Sequence, residues 1–557
     1  MKTSVERHSM RTEKGKGMVV AAEAEAAKAG TDLLRAGGNA VDAAVGVGFA
    51  LAVTYPAAGN LGGGGFLVAS VGRENGQTQS IALDFREVAP LAATETMYSE
   101  AHDQGKEEAS LTGHLASGVP GSVDGMLHAL DRWGSLSREQ VLAPAIRLAR
   151  EGFAMTERTH RMLRSTRTRD RMLKYRASSE LFYPNGEAFP AGEIFRQPEL
   201  ANTLELISKK GRAGFYEGEV ADHLATEMKR GGGIIRPEDL RAYRSVEREP
   251  IRFKTLTGSA ITMPPPSSGG VCLAQISHLM KDSGIRVSEA GSPRHLHWMA
   301  EAMRRSFADR NQYLGDPDFV DCQLERLLAT DYLDQKAATI DPDRATPSMT
   351  LVSSDDIPKE SEQTTHYSVV DGHGNGVAVT TTLNGSFGSK VLVPGAGFLL
   401  NNEMDDFTAR PGVPNLFGLV QGKPNAIAPG KRPLSSMSPT VCLSADAKGA
   451  EEVQAVLGTP GGPTIITNVF QVLFALDQLQ LSPELAVSMP KIHHQCLPDR
   501  LDVEKGVLDS TRDRLRVMKH TIGSRSSIGD FQLISRLYRD EWVGISDPRG
   551  AGAAKAE

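Results

Sequence analysis

The sequence predicts an α+β protein whose layers are assembled from distant parts of the chain. Helical apolar spacing dominates before about residue 340, and β-branched, strand-like runs dominate after Thr364. Among the early segments, glycine-led strand patterns such as Gly62 to Val68 interrupt the helices, so neither half reads as a purely α or purely β unit. The 557 residues suffice for one large layered domain, or for roughly three to four ordinary ones.

The elements follow in order. Residues 20–54 alternate Ala-rich helical stretches with a Gly37-Gly38-Asn39 break, which predicts two closely packed helices. Asn60-Leu61-Gly62-Gly63-Gly64-Gly65 then leads into a strand. No Gly-Lys-Ser/Thr follows, so the glycines read as a tight turn against packed helices and not as a phosphate loop. Ile81-Ala82-Leu83 is a strand, and residues 135–230 are mostly helical. Met263 to Gly270, rich in Pro and Ser, is a rigid turn before a helix near Val271, and residues 293–313 form a long helix. Residues 335–363 read as linker, with Thr350 to Gln363 rich in Ser, Asp, Glu and Lys. His366 to Val370 and Gly376 to Thr382 read as paired strands around the Asp371-Gly372-His373-Gly374-Asn375 turn, and Thr464 to Leu479 as a helix.

Bulk properties exclude several functions. A net charge of −6 gives no electrostatic case for nucleic acid, and the arginine-rich run from Arg158 to Arg176 reads as a solvated helix face. Cys272, Cys322, Cys442 and Cys496 are far apart, so free buried thiols are expected in place of a zinc site or disulfide framework. His493-His494 would point to opposite faces of a strand and could not easily share a metal. The apolar run Ala40 to Tyr55 is broken by Asp42, Gly46 and Gly48 and is too short to span a bilayer. Met1 to His8 lacks the apolar core of an export signal, so the expectation for the chain as given is a soluble, cytoplasmic protein.

Chemistry concentrates where apolar strands end. Thr364 stands where a polar segment meets a strand. A cut before it would put a hydroxyl nucleophile and a free α-amine on one residue, although taken alone it reads first as a β-prone threonine at a strand start. Asp84-Phe85-Arg86-Glu87 sets an arginine after a strand, Glu403, Asp405 and Asp406 cluster together, and Ser435-Ser436 lie between prolines. Gly461-Gly462 opens a helix, where backbone N–H groups favour negative charge. Singly, each has a plain reading as turn, cap or helix start. Together they suit a substrate bearing an ammonium and a carboxylate, attacked at an acyl carbon.

From about Gly17 to Arg549 the chain resembles the gamma-glutamyltransferase (gamma-glutamyl transpeptidase) family of N-terminal-nucleophile hydrolases. The motifs include Leu33 to Ala44, Gly62 to Phe66, Asp84 to Glu87, Val119-Pro120-Gly121, Thr364 to Val370, Asn401 to Phe407, Pro433 to Thr440, Pro460-Gly461-Gly462 and Ile492 to Gln495. The resemblance implies a four-layer αββα sandwich of two stacked, mainly antiparallel sheets. It implies a precursor that cleaves itself between Gln363 and Thr364 into a large part, residues 1–363, and a small part, residues 364–557, which stay one folded unit. Thr364 would be the nucleophile, Thr382 its hydrogen-bonding helper, and Gly461 and Gly462 the oxyanion hole. Asn384, Glu403 and Asp406 would hold a substrate α-amine, and Arg86, Ser435 and Ser436 its α-carboxylate. Phe417 stands in the lid, where several relatives carry tyrosine.

The activity so implied is γ-glutamyl transfer from glutathione and related compounds to amino acids, dipeptides or water through a γ-glutamyl–Thr364 ester, without metal or organic cofactor. Many relatives act in the periplasm or outside the cell. The alternatives are a cephalosporin- or glutaryl-type acylase or an oxamate-type amidohydrolase on the same scaffold, or an uncleaved, non-enzymatic binding protein.

Overall fold

Two seven-stranded antiparallel sheets form the centre of the molecule in a computed structural model that describes residues 11–72, 78–281, 283–352, 364–408, 423–445, 451–537 and 541–557. The first sheet runs, in spatial order, Ala553–Ala556, Met18–Ala21, Thr365–Val370, Gly376–Thr382, Gly64–Gly72, Thr78–Asp84 and Val246–Arg248. The second runs Arg11–Gly15, Trp542–Ser546, Gln532–Ser535, Glu451–Gly458, Thr440–Ala445, Ser259–Thr262 and Ile251–Lys254. Each sheet draws strands from both sides of Thr364.

Strand alternation builds the layers. On Thr365–Val370, Tyr367 and Val369 join the core beneath the helices Ala24–Arg35 and Ala40–Thr54. Val370 faces the second sheet, and the Ser368 hydroxyl donates to the Gln532 carbonyl across the gap (3.0 Å). Beyond the second sheet lie the helices Gly269–Lys281, Pro293–Tyr313 and Thr464–Asp477, whose apolar faces complete the other core. The result is four layers, helix–sheet–sheet–helix, as the resemblance implies. Burying each large apolar side chain here contributes about 1.5–3 kcal/mol.

The small residues near the N-terminus act as expected. A side chain on Gly30 would strike Val47, and one on Gly46 would strike Leu33, so the two helices can touch only because both positions lack a Cβ. Asn39 caps the second helix, accepting from the Val41 and Asp42 amides, while Asp42 accepts from the Asn39 amide.

Three expectations change. The residues from 335 read as linker are docked up to 352. Thr330–Ala337 is helical, Arg305 binds the Thr339 carbonyl and Thr346 hydroxyl, and the Ser348 amide donates to Asp499 (2.8 Å). Part of their polar composition serves the buried Arg304 and Arg305, while most of the segment faces solvent. The basic run is three short helices. Arg161, Arg164, Arg167 and Arg169 are solvated, but Arg158 turns inward over the Tyr55 ring and pairs with Asp530 (3.0 Å). A further helix, Asp509–Val517, escaped the strand-rich reading because it buries only Thr511 and Leu515, too few for a periodic signal.

Candidate active site

Thr364 immediately precedes the Thr365–Val370 strand and is 5% exposed. The ladder pairs Thr365 with Thr381, which sets Thr364 beside Thr382 on the neighbouring strand. Thr382 Oγ1 accepts the Asn384 amide (2.8 Å), and Asn384 takes a left-handed backbone, φ 71°. That turn sends the Asn384 side chain to the Asn402 carbonyl (2.9 Å). Asn401 bonds Gly62 and Gly118 through its side-chain amide and so holds the start of the Glu403–Asp406 turn. The glycine run approaches this turn closely, since a Cβ on Gly62 would meet the Leu399 carbonyl at 2.2 Å.

A single buried cavity gathers Arg86, Arg310, Thr364, Thr382, Asn384, Glu403, Asp406, Ser435, Ser436 and Gly462. Its free space is about 20 Å³, room for roughly one water molecule. Arg86, 1% exposed, donates to Glu403 through Nη1 and to Asp406 through Nη2, and its Nε donates to the Pro433 carbonyl (3.2 Å). Arg86 thus pairs with the acids while also reaching the Leu434 carbonyl (3.4 Å), next to Ser435 in the chain. Glu87 lies 3.8 Å from the same guanidinium. Three carboxyl groups crowd this one cation. Burial, opposed by Arg86, pushes the Glu87 carboxyl up to about 7 and raises those of Glu403 and Asp406.

Among the described residues, three oxygen atoms on this side receive no N–H or O–H from another group, Asn384 Oδ1, Glu403 Oε2 and Asp406 Oδ1, although the Glu403 and Asp406 carboxyls lie close enough to share a proton. Across the cavity the two serines are arranged oppositely. Ser435 Oγ accepts the Met437 amide (3.1 Å), and Ser436 Oγ accepts from Arg310 Nη2 (3.3 Å), so that among the described residues neither hydroxyl proton has an acceptor. Gly461 and Gly462 have φ of 137° and 55°, and the Gly461 carbonyl is turned back to Thr464 by a hydrogen bond of 2.7 Å. Their amides make no hydrogen bond to backbone acceptors among the described residues. His366, close in sequence, is not a competing base. It faces the second sheet, bonded to Thr380 and Ser368, and burial pushes its imidazole down to about 3.

The structure therefore brings Arg86, Thr364, Thr382, Asn384, Glu403, Asp406, Ser435, Ser436 and Gly462 to one cavity, with Gly461 adjoining it. Gln363 and Phe417 lie outside the described residues. Sequence reasoning missed Arg310 and Glu87. Glu87 was adjacent to a chosen residue, whereas Arg310 sits within an ordinary amphipathic helix and gave no signal. One other cluster of metal-ligating types, His297, Glu301 and His520, is buried elsewhere. Its imidazoles bond each other (2.8 Å), and its carboxylate is held by Arg304 and Arg305.

Two facing antiparallel sheets between helical layers, with a threonine leading an inner strand, define the N-terminal-nucleophile hydrolase class. Comparison with known proteins narrows this. The gamma-glutamyltranspeptidase family matches residues 26–557, and the chain belongs to that family. It is 44% identical to a glutathione hydrolase proenzyme of Escherichia coli, over 96% of this chain and 90% of that protein. It is 42% identical to the corresponding proenzyme of Pseudomonas aeruginosa, over 96% and 94%. Among solved structures, a cephalosporin acylase from Bacillus halodurans superposes with a TM-score of 0.85 at 26% identity, over 100% of this chain and 98% of that one. The gamma-glutamyltranspeptidase of Helicobacter pylori gives 0.55 at 42% identity, over 58% and 92%.

Proposed function

We propose that the protein is a self-processing γ-glutamyl acyltransferase and glutathione hydrolase that works through a γ-glutamyl–Thr364 ester. The observation that carries this is the trio of buried acceptors without donors, Asn384 Oδ1, Glu403 Oε2 and Asp406 Oδ1, opposite two serine hydroxyls free to donate. An α-ammonium has three N–H donors for the first group, and an α-carboxylate has the acceptors for the second. With the amino-acid head clamped at both ends, the γ-carbonyl is the one presented to Thr364. Arg86 keeps the acid pair in place and tempers its charge. The relatives named as glutathione hydrolase proenzymes support the same donor and the same processing.

In maturation Thr364 Oγ1 attacks the carbonyl carbon of Gln363, the peptide shifts to an ester, and water hydrolyses it, leaving a free α-amine. In turnover that amine, with a reference pKa of about 7.7–8.0, takes the hydroxyl proton as Oγ1 attacks the γ-carbonyl. The oxyanion is held by the Gly461 and Gly462 amides, the leaving amine collects the proton, and the ester forms. An acceptor amine or water then attacks the ester and regenerates Thr364. Thr382 bonds and orients the nucleophile throughout.

A second reading, an acylase for glutaryl-type donors, draws on the likeness to the cephalosporin acylase. It leaves the three acceptors without a use, since a glutaryl group has no ammonium. Thr364→Ala is expected to stay as one full-length band on a denaturing gel and to release no aniline from a γ-glutamyl anilide. A variant that still splits at this junction would sink the assignment, and a wild type preferring the glutaryl anilide would favour the acylase.

A further inference from the structure

Four arginines are among the largest fully buried side chains: Arg86, Arg304, Arg305 and Arg310. Three have carboxylate partners. Arg86 has Glu403 and Asp406, Arg304 has Glu301 and Asp499, and Arg305 has Glu301. Arg310 has none among the described residues. It rises from the last turn of the Pro293–Tyr313 helix and donates only to neutral oxygens: Ser268 Oγ (3.0 Å), Asn311 Oδ1 (3.0 Å) and Ser436 Oγ (3.3 Å). The Phe307 ring lies 6.0 Å away, at the outer limit of a useful cation–π contact. An uncompensated buried cation is costly to keep. This one lines the same cavity as Thr364.

We propose that Arg310 is a positioning residue for the donor's α-carboxylate. It supplies the uncompensated positive charge and fixes the Ser436 hydroxyl as a donor toward that group, an inference that rests on the γ-glutamyl reading above. Arg86 cannot fill this place alone, because its charge is already matched by Glu403 and Asp406. Arg310 polarises the serine end positive, while Glu403, Asp406 and Asn384 turn acceptor oxygens to the other end. The cavity is then a dipole aligned with a zwitterionic amino-acid head. Burial, only weakly offset by Cys272 and Asp406, lowers the Arg310 guanidinium to about 10, in keeping with a cation that has no resident partner.

The test compares three anilides: γ-glutamyl, 4-aminobutyryl, which lacks the α-carboxylate, and glutaryl, which lacks the α-amine. In Arg310→Met the KM for the γ-glutamyl anilide is expected to rise about tenfold or more with a smaller change in kcat, because a hydrogen-bonded charge is lost from the ground state and transition state alike. The kcat/KM for the 4-aminobutyryl anilide is expected to change less than about twofold, since that donor has nothing for Arg310 to hold. Equal losses on both donors, or none on either, overturn the proposal. Should Arg310→Met fail to mature into two fragments, Arg310→Lys carries the test. A lysine lacks the planar fork by which Arg310 reaches Ser268 and Ser436 from separate nitrogens, so preference for the α-carboxylate should fall about threefold, and an unchanged preference refutes the role. A wild type indifferent to the α-carboxylate would instead overturn the γ-glutamyl reading itself.

Discussion

Replacing Asp406 with asparagine isolates the proposed ammonium clamp with almost no change of shape. Asp406 Oδ2 is bound by Arg86, and Oδ1 points into the cavity without a donor. Asparagine can keep an oxygen on Arg86 but would then turn an NH₂ toward the substrate's ammonium, replacing an ionic acceptor with a donor. A hydrogen bond to a charged group is worth about 1.5–3 kcal/mol, and each 1.4 kcal/mol is a factor of ten, so kcat/KM should fall about 10- to 150-fold. Glu403 and Asn384 remain in place and limit the loss. The assay is initial-rate release of aniline from γ-glutamyl and glutaryl anilides, on enzyme shown by denaturing gel to have matured. Only the γ-glutamyl rate should fall, because the glutaryl donor has no ammonium to lose. A parallel fall on both donors would mean that Asp406 merely supports the architecture around Arg86, and the clamp would be refuted.

Two further outcomes follow from the site. Glu87 binds its proton more tightly folded than unfolded, burial raising its carboxyl from the ordinary carboxylate range to about 7. The stability this contributes is full below the unfolded pKa and is lost as pH rises through about 7. Glu87→Gln should therefore lose less thermal stability than wild type between pH 5 and 7, and parallel melting curves would argue against a buried proton there. Gly461→Ala should mature poorly or turn over slowly. A Cβ would meet Thr464 Oγ1 at 2.4 Å with φ at 137°, which twists the amide away from the reacting carbonyl. Losing one oxyanion donor lowers kcat by about 10²–10³ with little change in KM, and a KM effect alone would contradict that placement.

Much of this was legible in the chain because the chemistry sits on short, punctuated segments. Asn39, the four glycines from Gly62 to Gly65, and the Gly461-Gly462 turn each demand a local geometry that few other residues supply, so their positions announce themselves. The Thr365–Val370 and Gly376–Thr382 strands were readable because Asp371 to Asn375 separates two β-branched runs. What stayed hidden depends on long-range pairing. Nothing local tells that Arg158 meets Asp530, or that Arg310 meets serines and no acid. Nor could local pattern show Arg86 paired with Glu403 and Asp406. A motif names the residues of a site, but which cation is already neutralised is decided by contacts hundreds of residues apart.

The interleaving of the sheets bears on inheritance as well as on stability. Met18–Ala21 lies between Thr365–Val370 and Ala553–Ala556, Gly64–Gly72 pairs with Gly376–Thr382, and Arg11–Gly15 pairs with Trp542–Ser546. A chain opened before Thr364 would thus consist of two pieces woven through each other, with no face along which they could part. Neither piece could be traded for its counterpart from another molecule without unravelling both sheets. Each mature enzyme would remain the product of a single translation, and two defective alleles, one altered on each side of the cut, should not rescue one another by exchange in a shared cell.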